Sequence, residues 1–104
     1  MSVVVIVRFQ VTDPEAAVGW AEANASIPEE ITTYGKSLGQ IGHRMLTDGK
    51  DLVVIDEWPD KEAFDTFFAN APKMGEFLEG AGITGEPDVS VLDTLDVPGT
   101  FWLS

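Results

Sequence analysis

Cysteine is absent from the 104-residue chain. That excludes a disulfide scaffold, thiolate zinc, iron–sulfur ligation and a cysteine nucleophile. Positive charge is scarce too: six Lys and Arg face eighteen Asp and Glu, for a formal net charge of -12. A phosphate backbone is bound chiefly by releasing counterions to clustered Lys and Arg. Here no short window holds more than one basic residue, so no nucleic acid is expected as a partner, and anionic membranes are disfavoured for the same reason. There is one histidine, and no carboxylate cluster has metal-ligand spacing, so neither a metal nor a cofactor is expected. A GxGxxG turn, a P-loop and a nucleophile elbow are all missing. The apolar run from Val3 to Val7 is too short for a membrane span or a secretory core. It reads as a strand, and the expected location is cytoplasmic.

What is present is an apolar content of 44% in a chain of the usual size for one domain, so residues 1–104 read as a single domain with a core that needs no staples. Val3 to Val11 is rich in β-branched residues and ends at Thr12-Asp13-Pro14. Asp13 suits an N-cap and Pro14 the first helical position. Ala17, Trp20, Ala21, Ile27, Ile31, Tyr34 and Leu38 then recur at helical spacings, interrupted by Pro28. Two helical pieces follow, roughly 14 to 25 and 28 to 37, with Ser26 and Glu29 forming a capping box. Ile41 to Leu46 and Leu52 to Trp58 flank Asp48-Gly49, a strong hairpin signal. Asp60 caps a second apolar helical stripe that breaks near Pro72. Gly80, Gly82, Gly85 and Pro87 read as its end, and Val89, Val91 and Leu95 as the last strand, before a Pro98-Gly99 turn and a Phe101-Trp102-Leu103 tail.

The order β-α-β-β-α-β is the ferredoxin-like α+β arrangement, a four-stranded antiparallel sheet with helices on one face. By strand parity the other face carries Val4, Ile6, Leu46, Val53 and Ile55, too much apolar surface to leave wet. A second copy is expected to cover it, making a homodimer.

A two-residue turn pairs Thr47 with Lys50 and puts His43 opposite Val54, with Asp56 its diagonal neighbour on the same face. Asp56 then fixes the His43 tautomer, and the imidazole is placed to take a proton from a bound phenol or enol. The same ring could equally pack beside the core with both nitrogens satisfied. Trp58 shares that face and would wall the cavity. Trp20, Asn24 and Tyr34 lie near the inward stripe of the first helical segment, where they offer aromatic walls and hydrogen bonds to a flat small-molecule ligand, or simply core. Arg8 interrupts the first strand and needs a carboxylate: an anionic ligand group, or Glu57, Asp93 or a partner subunit.

The run Gly42-His43-Arg44-Met45, the run from Val54 through Asp56-Glu57-Trp58-Pro59 to Glu62-Ala63-Phe64, and Gly85-Glu86-Pro87 resemble the antibiotic biosynthesis monooxygenase family. The resemblance implies a dimeric α+β barrel with a ligand pocket between sheet and helices. It also implies a range of tasks: cofactor-free oxygenation of polycyclic phenols, haem degradation, processing of signalling molecules, or no known activity. The Asn, Trp and His of the haem-degrading branch fall at about Val7, Phe67 and Phe77, so haem degradation is not expected. The amide and tyrosine of the quinone-forming branch fall near Val54 and Phe64, with only Trp58 kept. The expected function is cofactor-independent monooxygenation of a small aromatic or polyketide-like molecule, with His43 and Asp56 as the catalytic pair. A non-catalytic small-molecule-binding barrel and a related isomerase or cyclase remain as alternatives.

Overall fold

The computed structural model describes residues 2–101. The chain runs β1 (Val3–Val11), α1 (Pro14–Ala23), α2 (Ser26–Ser37), β2 (Gly42–Thr47), β3 (Leu52–Trp58), α3 (Lys61–Asn70), α4 (Met74–Gly80) and β4 (Ile83–Asp93). The strands form one antiparallel sheet in the order β2-β3-β1-β4, so the ferredoxin-like α+β arrangement holds. Trp102 and Leu103 of the aromatic tail lie outside the described residues. Among the described residues no helix is long and apolar enough to cross a membrane.

The two central strands show why the sheet forms. Val3, Val5, Val7 and Phe9 alternate with outward residues along β1, and Leu52, Val54, Asp56 and Trp58 do so along β3. All eight are buried. They pair in register, Val5 with Asp56 and Val7 with Val54, so a two-residue period carries both sets to one face. Burying a Val, Leu or Phe side chain contributes about 1.5–3 kcal/mol. The helices supply the cover with Ala17, Ile31, Phe64 and Phe67.

Local chemistry starts and stops each helix. Asp13 accepts the Glu15 N–H at 3.0 Å and Asp60 the Ala63 N–H at 2.8 Å, as their cap positions in the sequence suggest. Ser26 does not cap: α2 begins at that residue, its preceding Ala25 is helical, and no side chain bonds its first turn. Pro28 is tolerated there because a first-turn N–H has no helical acceptor anyway. Gly82, at φ 74°, donates its N–H to the Glu79 carbonyl at 3.1 Å and turns the chain out of α4.

Three further expectations need correction. The last strand starts at Ile83 rather than near Val89, and Leu95, 73% exposed, lies beyond it. The register of β4 on β1 shifts between Arg8 and Gln10. This irregularity accommodates Gly85 and Pro87, which an edge strand tolerates. The hairpin closes with Thr47 opposite Leu52, not Lys50, so its turn has four residues, 48–51. Asp48 shapes it by accepting the N–H groups of Lys50 and Asp51 at 2.9 and 2.8 Å. Arg8 reaches this turn instead of Glu57, Asp93 or a ligand, with Nη1 3.0 Å from Asp48 and 3.1 Å from Asp51. The Asp51 and Lys50 N–H groups, then the guanidinium, hold the Asp48 carboxyl well below the usual carboxylate range.

On the outer face Val4, Ile6, Val53 and Ile55 are half-buried, and Leu46 and Leu92 are exposed. On the helical side, α1 meets α4 where the Trp20 indole lies against Gly80, and a methyl group built on Gly80 would overlap that ring. Gly80→Ala is therefore expected to cost about 1–3 kcal/mol by overpacking, despite alanine's better helix propensity, read as a lower urea midpoint than wild type. An unchanged midpoint would show that the contact is slack.

Candidate active site

The hairpin and the helices enclose a cavity of about 90 Å³ on the buried face of the sheet. Its wall is almost wholly apolar: Val7 and Val54 from the sheet, Ile31 from α2, Phe64 and Phe67 from α3, and Phe77 from α4. Two titratable side chains line it, His43 and Asp56. Its other polar contributions come from Thr32 and Gln40.

The four-residue turn places His43 directly opposite Asp56 rather than diagonal to it. The correction moves the register by two residues, which leaves every side chain on its face. His43 Nδ1 lies 2.6 Å from Asp56 Oδ1. The imidazole is 42% exposed at the cavity rim, whereas the carboxylate side chain is only 5% exposed. A buried carboxylate is tolerated when a donor meets it. Here that donor is the Nδ1 hydrogen, so in the neutral ring Nε2 is the free acceptor. The pair can fix one tautomer, accept a proton at Nε2 and hold the resulting imidazolium against a negative charge.

The other sequence-selected residues do not join this cavity. Trp58 is fully buried with its ring centroid 4.9 Å from Phe67 and 6.1 Å from Phe64, so it supports two wall residues from behind. Its Nε1 has no hydrogen-bond partner among the described residues. Tyr34 stacks on Phe67 at 6.2 Å and borders a shallow outer groove with Glu30 and Thr33. Trp20 packs edge-on to Phe77 at 6.1 Å. Asn24 ends α1, its Nδ2 donating to the Trp20 carbonyl at 2.9 Å. Aromatic spacing thus marked the shell around the cavity, one layer too far out. The wall itself comes from the α3 stripe, which sequence reasoning read only as core, and from Met45, which strand parity puts beside His43. Gln40 follows the Gly39 breaker in a connection with no periodicity, so no sequence signal singled it out.

Comparison with known proteins places the fold. The chain matches no family model and no curated protein in sequence. Among solved structures it is similar to SnoaB, a cofactor-independent oxygenase from Streptomyces nogalater, at 16% identity and TM-score 0.65, over 95% of this chain and 98% of that one. The monooxygenase from ActVA-Orf6 of Streptomyces coelicolor, solved with the ligand nanaomycin D, is similar at 22% identity and TM-score 0.62, over 99% and 93%. Rv0793 from Mycobacterium tuberculosis is similar at 20% identity and TM-score 0.60, over 95% and 100%. The chain has the fold of the antibiotic biosynthesis monooxygenases, in agreement with the resemblance carried by its strand-end Glu57-Trp58 and the helix that follows.

The His43–Asp56 bond has an energetic signature of its own. His43→Ala leaves a buried carboxylate without its donor and is expected to cost about 1–3 kcal/mol. Adding Asp56→Leu to that variant removes the orphaned charge, so the second change should recover stability in a denaturant-melt cycle. Strict additivity of the two changes would mean that the pair does not interact.

Proposed function

We propose that the protein binds a small, neutral aromatic or polyketide-like molecule in this cavity and oxygenates it with molecular oxygen and no cofactor, using His43 as general base and Asp56 as the residue that positions it. The observation that carries this reading is the 2.6 Å His43–Asp56 contact at the rim of an apolar cavity. An acidic phenol or the enol of a ketone gives its proton to Nε2, and the electron pair left behind makes the ring carbon electron-rich enough to reduce oxygen. Across the whole reaction a CH₂ becomes C=O, the second oxygen atom leaving as water. The apolar wall keeps solvent from the carbanion, and the imidazolium beside it offsets the new negative charge. The fold shared with SnoaB and with the ActVA-Orf6 monooxygenase supports this choice of chemistry.

The same reading includes a homodimer. Val4, Ile6, Val53, Ile55, Leu46 and Leu92 together make an outer sheet face whose burial against a second copy would complete the barrel.

Two measurements test these points. Chelator-treated protein should consume oxygen with one or more of a panel of anthrone-like and hydroquinone-like phenols, and His43→Ala should lower turnover by about two to four orders of magnitude. Uptake that ignores His43, or none across the panel, overturns the assignment. Sedimentation at micromolar concentration should give a dimer; a monomer overturns the association.

A further inference from the structure

The cavity behind the His43–Asp56 pair has a second polar feature that the proton transfer does not use. Gln40 lies between α2 and β2, where its backbone N–H donates to the Gly35 carbonyl at 3.1 Å and its side chain lines the cavity. The carboxamide fits because residue 35 is glycine. A methyl group built on Gly35 would overlap Gln40 Oε1 and stand 3.3 Å from Phe67 Cε1. Oε1 is thus the amide end nearest Gly35, and Nε2 is the end with hydrogens to give. No side-chain hydrogen bond among the described residues occupies that amide.

His43 is bonded to Asp56 through Nδ1, so the neutral ring offers the cavity an acceptor and no donor. Before the transfer, a ligand oxygen that is to gain charge therefore has no donor from His43, and a second group that already donates to it would stabilise the charge as it develops alongside the imidazolium. Resting on the proton-transfer reading above, we propose that Gln40 is the donor that holds the substrate's oxygen, and that the site selects enolisable ketones and phenols over hydrocarbons of the same shape. In the step it serves, a C–H or O–H bond of the ligand breaks and the proton goes to His43 Nε2. The electron pair moves onto the oxygen held by Gln40 Nε2, and no oxidant enters until later.

Acetophenone and α-methylstyrene test this without turnover, because they share an outline and differ by a carbonyl oxygen in place of a methylene. An acceptor-only oxygen reads the Gln40 donor and not the His43 acceptor. In NMR titrations of the nitrogen-15-labelled chain, both probes should bind the cavity, with a Gln40 side-chain NH₂ proton moving downfield for the ketone relative to the hydrocarbon, as a new hydrogen bond requires. Gln40→Leu should shift the ratio of the two Kd values about 3- to 10-fold toward the hydrocarbon, as loss of one hydrogen bond does. Gly35→Ala displaces the same carboxamide from the helix side and should shift the ratio in the same direction. A ratio unchanged in both variants, with both probes bound, overturns the role of Gln40 and leaves the cavity reading standing. Binding of neither probe overturns the cavity as a ligand site, and the proposed function with it.

Discussion

Pairing β1 with β3 takes every second residue of two strands out of water together, and because the side-chain period is two, whatever stands at the third buried place of β3 goes in with Leu52, Val54 and Trp58. That residue is Asp56. The helices that seal the face for its valines also desolvate this carboxylate, and a desolvated carboxylate needs a donor. The donor comes from β2, which pairs with β3 at the edge of the sheet. The geometry of the pair is thus a by-product of core formation: the same burial that holds the sheet and helices together sets one ring nitrogen of His43 to donate inward and frees the other.

Charge works at two distances. The surface carries the excess behind the net charge of -12, which opposes the approach of anions over several ångströms. The cavity carries none of that excess except Asp56, which is matched by His43. A ligand suited to both environments arrives neutral, and under the proposed proton transfer it becomes negative only inside, where imidazolium and amide would meet the new charge. Arg8, the residue that most invited an anion-binding reading, is spent on fixing a turn.

The parts of this arrangement that depend on period were legible in the sequence. β1 and β3 follow from alternation, and the face shared by His43 and Asp56 follows from parity alone, so it survives a misjudged turn length. The parts that depend on local exceptions were not. Asp48-Gly49 suggests a two-residue turn, yet the Asp48 carboxylate organises four residues by accepting two backbone N–H groups. Pro87 suggests a break, yet an irregular edge strand absorbs it. Trp58 suggests a wall, but a strand-end indole facing α3 is covered by the helix that follows it. Gln40 owes its place to a missing side chain at Gly35, and nothing in the local pattern announces a contact made across a turn by the absence of a methyl group.

Among the described residues β2 is bonded along one side only, and every one of its residues is exposed. Its hydrogen bonds to β3 are therefore among the least protected in the sheet, and local opening of such a strand costs less free energy than unfolding the whole chain. Each opening separates His43 from Asp56 while the core beneath α3 stays intact. On heating, loss of the His43–Asp56 pair is therefore expected to run ahead of loss of the fold. A neighbouring molecule resting on Arg44 and Leu46 would draw the first toward the second.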